Sequence, residues 1–169
     1  MLDGVERGPG AVAETSKLSE ARAALAVVSA RTSRLVASLP DTSVPIPGSR
    51  WTVREAAVHL TVIGFHLAGM AQGEPNQHPC LAPEECARRN DEFNADIPES
   101  DPGALAALVR EGTDCLLAAT ASRGDNEEVG PHSGGVVSMP HLVAAALAEH
   151  LLHGYDIAVA AHRPWPIDP

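Results

Sequence analysis

Four stretches of this chain, Ser16 to Leu39, Thr52 to about Gln72, Asp101 to Gly124 and Ser138 to Ala161, repeat their apolar residues every three or four positions, and Pro or Gly interrupts the chain between them. Stripes with that period belong to helices, and each must be buried against another. Apolar residues make up 44% of the chain but aromatics only 3%, so the core has to be built from Ala, Leu and Val, which suit closely spaced helices better than a sandwich of sheets. With 169 residues there is room for one domain of ordinary size. The expected fold class is therefore all-α: a four-helix bundle with a short extra helix or loop between helices two and three.

Residues 1–14 show no period and read as a frayed, flexible leader, which leaves residues 15–169 for the bundle domain. In the first helix Leu18, Leu25, Val28, Leu35 and Leu39 form one face, and Pro40 ends it. Pro40 to Arg50, with Pro45, Pro47 and Gly48, reads as a loop. Thr52-Val53-Arg54-Glu55 has the spacing of a capping box and opens helix two. Gly73 to Pro83 is irregular, and the charged block Glu84 to Asn94 suits a short helix on the surface or beside a site. Asp101-Pro102 starts helix three, whose core face carries Leu105, Leu108, Gly112, Cys115, Leu116 and Ala119. Asp125 to Val137, rich in Gly and Pro, reads as a flexible connection lining an opening between helix ends, and Ser138 caps helix four.

The formal net charge is −10, from 22 acids and 12 bases, and no Lys/Arg cluster exists to neutralise phosphates, so no nucleic-acid partner is expected. Unbroken apolar runs are a handful of residues long, against about 20 needed to cross a bilayer, so no membrane partner is expected either. The start lacks a basic segment followed by an apolar block. Cys80, Cys86 and Cys115 are odd in number and without a Cys-x-x-Cys spacing, which argues against a disulfide framework or a thiolate zinc ribbon and fits a cytoplasmic protein. Cys115 reads as a small buried hydrophobe.

The chemistry sits on the core stripes. Glu149 and His153 lie four residues apart, within about 80° of arc of Leu142, Ala146, Ile157 and Ala160 on helix four. A buried carboxylate without a partner costs several kcal/mol or neutralises itself, so the fold has to satisfy it. His59 holds the same central position on helix two, among Ala56, Val62, Ile63, His66 and Met70. Imidazole nitrogen and carboxylate oxygen are ligands of zinc and other divalent first-row metals, and catalytic sites commonly use three protein ligands and leave a position open. Residues four apart on a helix are about 5–6 Å apart at Cβ, close enough to converge on one ion. The candidate metal ligands are His59, Glu149 and His153. His66 lies about 10 Å further along the axis and is read as lining a cavity instead. His150 falls off the stripe and ranks behind Glu149 as a ligand, while His78, His132, His141 and His162 read as surface residues. No nucleophilic serine elbow or phosphate loop is present.

Two segments carry a resemblance: Trp51-Thr52-Val53-Arg54-Glu55-Ala56-Ala57-Val58-His59-Leu60, and Glu149-His150-Leu151-Leu152-His153-Gly154-Tyr155-Asp156-Ile157-Ala158. They resemble the N-terminal domain of the mycothiol-dependent maleylpyruvate isomerase family, in the DinB-like superfamily, over roughly Leu18 to Pro166. The resemblance implies a DinB-like four-helix bundle with a divalent metal, usually zinc, at His59, Glu149 and His153, acting on mycothiol or a similar low-molecular-weight thiol. It implies an isomerase or S-transferase in which the metal-bound thiol attacks an electrophilic substrate. By a loose alignment it points to Arg89 as a catalytic group. Tyr155 and Asp156, with His66, are the candidate substrate-binding or ligand-orienting residues. The isomerases continue into a second domain, whereas this sequence stops at Pro169, and pairing into a homodimer is left open. Two other readings stand beside this one: a non-catalytic metal-binding bundle serving as an interaction module, and a metal-free core in which Glu149 is protonated or paired with His59.

Overall fold

The structure, a computed structural model, describes residues 15–76, 82–132 and 135–166. The leader expected over 1–14 lies outside the described residues, as do His78 and Cys80, and the side chain of His132 is not described. The elements are α1 (Lys17–Ala37), α2 (Val53–Ala71), α3 (Pro83–Asp96), α4 (Pro102–Ala119), β1 (Glu128–His132), β2 (Gly135–Ser138) and α5 (Met139–Ala160). The four long helices α1, α2, α4 and α5 form the bundle, with α1 and α2 each packed on both α4 and α5. The short helix α3 packs on α2.

Local chemistry sets the helix starts. The Thr52 side chain accepts from the Glu55 amide, and Glu55 Oε2 accepts from the Thr52 amide at 2.6 Å, so the capping box is closed in both directions. Asp101 caps α4 ahead of Pro102, accepting from the Ala104 amide at 2.8 Å. Ser138 stands at the start of α5 but caps no amide; its hydroxyl lies 2.7 Å from His141 Nδ1 instead.

Two groups of buried side chains occupy the two ends of the bundle. Leu25, Leu67, Leu116 and Leu142 belong to one, and Val36, Leu60, Val109 and Ile157 to the other. On each helix the sequence between these groups is small or polar: Ser29 on α1, Gly64 on α2, Gly112 and Thr113 on α4, His150 on α5. At this level α2 and α4 come almost backbone to backbone. A Cβ on Gly64 would fall 2.4 Å from the Gly112 carbonyl carbon, and one on Gly112 would fall 2.6 Å from the Thr61 oxygen. The close crossing commits α2 to α4 and leaves it more sparsely packed on α5, along the side where His59 faces Glu149 and His153.

The connection over Asp125 to Val137 differs from the flexible loop expected. It holds an antiparallel hairpin, with Glu128 opposite Ser138 and Val129 opposite Val137. Val129 is buried, and Asp125 accepts from the first amides of α1, Lys17 at 2.9 Å and Leu18 at 3.1 Å. Gly130, Pro131 and Gly135 interrupt the sequence here and hide the β-branched pair Val129 and Val137, which stand opposite each other in the ladder. Helix α5 is long and apolar enough to cross a bilayer by length and composition. It packs on α1 and α2, as the core helix of a bundle does.

Candidate metal centre

Helix α2 brings His59, and α5 brings Glu149 and His153, to one point between them. Glu149 Oε2 lies 3.2 Å from His59 Nε2 and 3.3 Å from His153 Nε2. One ligand atom from each residue can be chosen so that all three lie within 4.8 Å of one another. Two ligands about 2.0–2.1 Å from a tetrahedral ion are separated by roughly 3.3–3.4 Å, so the donor set fits zinc in kind, and the two distances from Glu149 Oε2 have the spacing of ligands on one ion. No fourth His, Cys, Asp or Glu joins the group among the described residues. Partial exposure, 12% for the His59 side chain, 18% for His153 and 35% for Glu149, keeps the centre open to solvent.

His153 is oriented from behind. Its Nδ1 lies 3.2 Å from Asp156 Oδ2, one turn along α5, so Nδ1–H can donate to that carboxylate and leave the Nε2 lone pair facing the centre. Trp51, the first residue of the motif that contains His59, supplies a wall. Its ring centroid stands 5.0 Å from that of His59 and 5.4 Å from that of His153, and the two imidazoles meet edge to face at 5.0 Å. Backbone pairing holds the indole there: the Ile46 amide donates to the Trp51 carbonyl at 2.9 Å and Val53 to Val44 at 3.0 Å. In a chain with two tryptophans, one placed immediately before the capping box was the available signal.

The electrostatics follow from these distances. Hydrogen bonds from His153 and His59 hold the Glu149 carboxyl far below the usual carboxylate range, against the opposing effect of burial. For His153 burial favours the neutral ring, but the hydrogen bond and charge of Glu149, with Asp156 behind, outweigh it and raise the pKa above the ordinary imidazole value. Glu149 is thus an anion set between two nitrogen donors, which is what a divalent cation requires.

The other candidates are dispersed. Asp156 is at the centre through His153, while Tyr155, next to it in sequence, points outward and is 54% exposed. His66 lines a cavity between α2 and α3 and is not one of the clustered ligands. Arg89, on α3, lies 3.7 Å from Glu85 on its own helix. Helix α3 is tied to the start of α2 by Arg54, which donates to the carbonyls of Asn94 and Glu99 at 2.8 Å and also to that of Ile97. His150 belongs to the core and not to the centre. It is 2% exposed, its Nε2 lies 3.1 Å from Thr113 Oγ1, and Ser29 donates to the same oxygen at 2.8 Å. Burial pushes its pKa down to about 4. A helical wheel could place His150 off the stripe but could not show that another helix covers it.

Residues 21–158 match the family model described as the mycothiol maleylpyruvate isomerase N-terminal domain. No curated protein and no solved structure gives a significant match.

Proposed function

The chain belongs to the mycothiol maleylpyruvate isomerase N-terminal domain family, and from that premise we propose that it is a metal-dependent enzyme that activates a low-molecular-weight thiol of the mycothiol type for isomerisation or S-transfer. The convergence of His59 and His153 on one oxygen of Glu149 carries this reading. A divalent ion held by these three residues would supply Lewis acidity at an open position, where a thiol is kept as its thiolate near neutral pH. Three ligands and no fourth among the described residues favour an open, catalytic site over a closed structural one.

The protein's own groups divide the remaining work. Glu149 offsets part of the cation's charge. Asp156 fixes the ring of His153 and the tautomer that leaves Nε2 free to bind. Trp51 closes one side of the centre to water and restrains both imidazoles by contact. The thiol proton leaves to solvent and the sulfur pair forms a bond to an electrophilic carbon of the second substrate. In an S-transfer the electrophile's leaving group departs with its bonding pair and the C–S bond remains; in an isomerisation the sulfur adds to a conjugated C=C, whose π pair moves onto the conjugated carbonyl, and once the substrate has rotated that pair returns and the sulfur leaves with the C–S pair.

The test is to purify the protein, measure bound metal, and assay thiol-dependent consumption of an electrophile. The expected result is about one zinc per chain, lost in His59→Ala and in His153→Ala together with turnover. Unchanged metal content in both variants would reject the site. Metal binding without any thiol-dependent turnover would reject the enzyme and leave a binding module.

A further inference from the structure

We propose that the groove between α2 and α3 seats the electrophilic substrate, and that this substrate is a small, uncharged, mostly apolar molecule. The proposal rests on the thiol-enzyme reading for the identity of the reaction, and on the groove itself for the class of ligand. Val62, Phe65, Met70, Pro75 and Phe93 form its walls, around a cavity of about 290 Å³. That volume is just below the range of about 300–1,000 Å³ usual for small-molecule sites, which suits a small ligand.

Position links the groove to the chemistry. His59, Val62, His66 and Met70 recur at intervals of three, four and four residues and so lie along one face of α2. Val62, which lines the groove, is one turn beyond the ligand His59, about 4.5 Å along the axis, and the other α2 lining residues lie further from His59 along the helix. A molecule lying in it would present one end to a sulfur held at the centre. Phe65 remains 40% exposed on this side, an apolar ring that a ligand would cover.

Charge selects the class. Glu74 is an acid among the lining residues, and no Lys or Arg lines the groove among the described residues. A carboxylate lying at the Glu74 end of the groove, away from the metal centre, would meet that acid with no Lys or Arg in the lining to offset the repulsion. An uncharged molecule meets no such penalty and gains by covering the apolar walls. For an aryl halide the step balances simply: the sulfur pair forms the C–S bond, halide leaves with the C–X pair, and the thiol proton goes to solvent.

The experiment uses the full zinc-loaded chain. Binding of nitrobenzene and of maleate is followed by NMR titration, and turnover of chlorodinitrobenzene with mycothiol is assayed in parallel. Nitrobenzene is expected to bind more tightly than maleate. Filling the groove with Val62→Phe, or separately with Phe93→Trp on α3, is expected to weaken nitrobenzene binding about tenfold or more, with zinc content and helical circular dichroism unchanged. Glu74→Gln is expected to improve maleate binding and leave nitrobenzene unaffected. Tighter binding of maleate than nitrobenzene, or unchanged nitrobenzene binding and turnover in both filled variants, overturns the proposal. Groove-dependent binding of nitrobenzene in a protein without thiol-dependent turnover would reject the thiol enzyme alone.

Discussion

Glu149 stands between two imidazoles, and the same distances that suit a metal also make a metal-free ion pair. Protons and metal therefore compete for the same nitrogens. Because the metal-free His153 holds its proton to a higher pH than an ordinary histidine, zinc affinity should begin to fall, as the solution is acidified, already above about pH 6.5. Isothermal titration across that range checks it, and an affinity indifferent to acid would count against imidazole ligation. Asp156→Asn, which keeps the shape but weakens the hold on His153 Nδ1, should cost about 10–100-fold in metal affinity. In the chelated protein the two partners have opposite pH signs. Glu149, with its pKa lowered, adds stability that is present above the ordinary carboxylate range and is lost as pH falls. His153, with its pKa raised, adds stability that is present below about pH 6.5 and is lost as pH rises through its folded value.

His150 has the same sign as Glu149. Its folded pKa of about 4 lies below the unfolded value, so its contribution is complete above about pH 6.5 and stability is lost as pH falls towards 4, by roughly 3 kcal/mol at the acid end. His150→Leu leaves Thr113 bonded to the Val109 carbonyl and to Ser29. It should flatten the decline between those limits in urea denaturation run at several pH values. A variant that loses stability with acid as steeply as the parent would show that His150 is not buried as described.

At the scale of the elements, the α2–α4 crossing decides how far apart the remaining helices stand. Gly64→Ala should destabilise by about 1–3 kcal/mol, despite a better helix propensity, because the new methyl meets backbone and not a movable side chain. Chemical denaturation measures this, and a neutral or stabilising result would mean that the helices are not in contact at Gly112. Helix starts were legible at this scale because capping is local: Thr52 and Glu55, and Asp101 with Pro102, need no tertiary partner to declare themselves. The hairpin was not legible. Its strands are short, Gly and Pro break their alternation, and what holds it down, Val129 buried and Asp125 on the amides of α1, comes from far away in sequence.

Over the whole molecule, the centre joins α2 to α5 along the side of the bundle where they pack more sparsely. A metal there should staple those helices together. At a free zinc concentration about 100 times the Kd, linkage predicts about 2.7 kcal/mol of added stability, or a rise in Tm of roughly 5–11 °C, reversed by chelation. Calorimetry with and without chelator tests this, and identical transitions would favour a core that holds Glu149 by its histidines alone.

Periodicity and capping, which depend only on neighbours along the chain, determined the four long helices, their starts, and the placing of His59, Glu149 and His153 on inward faces. Only the packing of helices distant in sequence decided the rest: that two imidazoles share one oxygen of Glu149, that Trp51 walls them, that His150 is sealed against Thr113, and that α3 leaves a groove beside α2. The division is physical. A helical stripe fixes the direction in which a side chain points, while the distance to its partner is fixed by whichever residues, here Gly64 and Gly112, set how closely the helices approach.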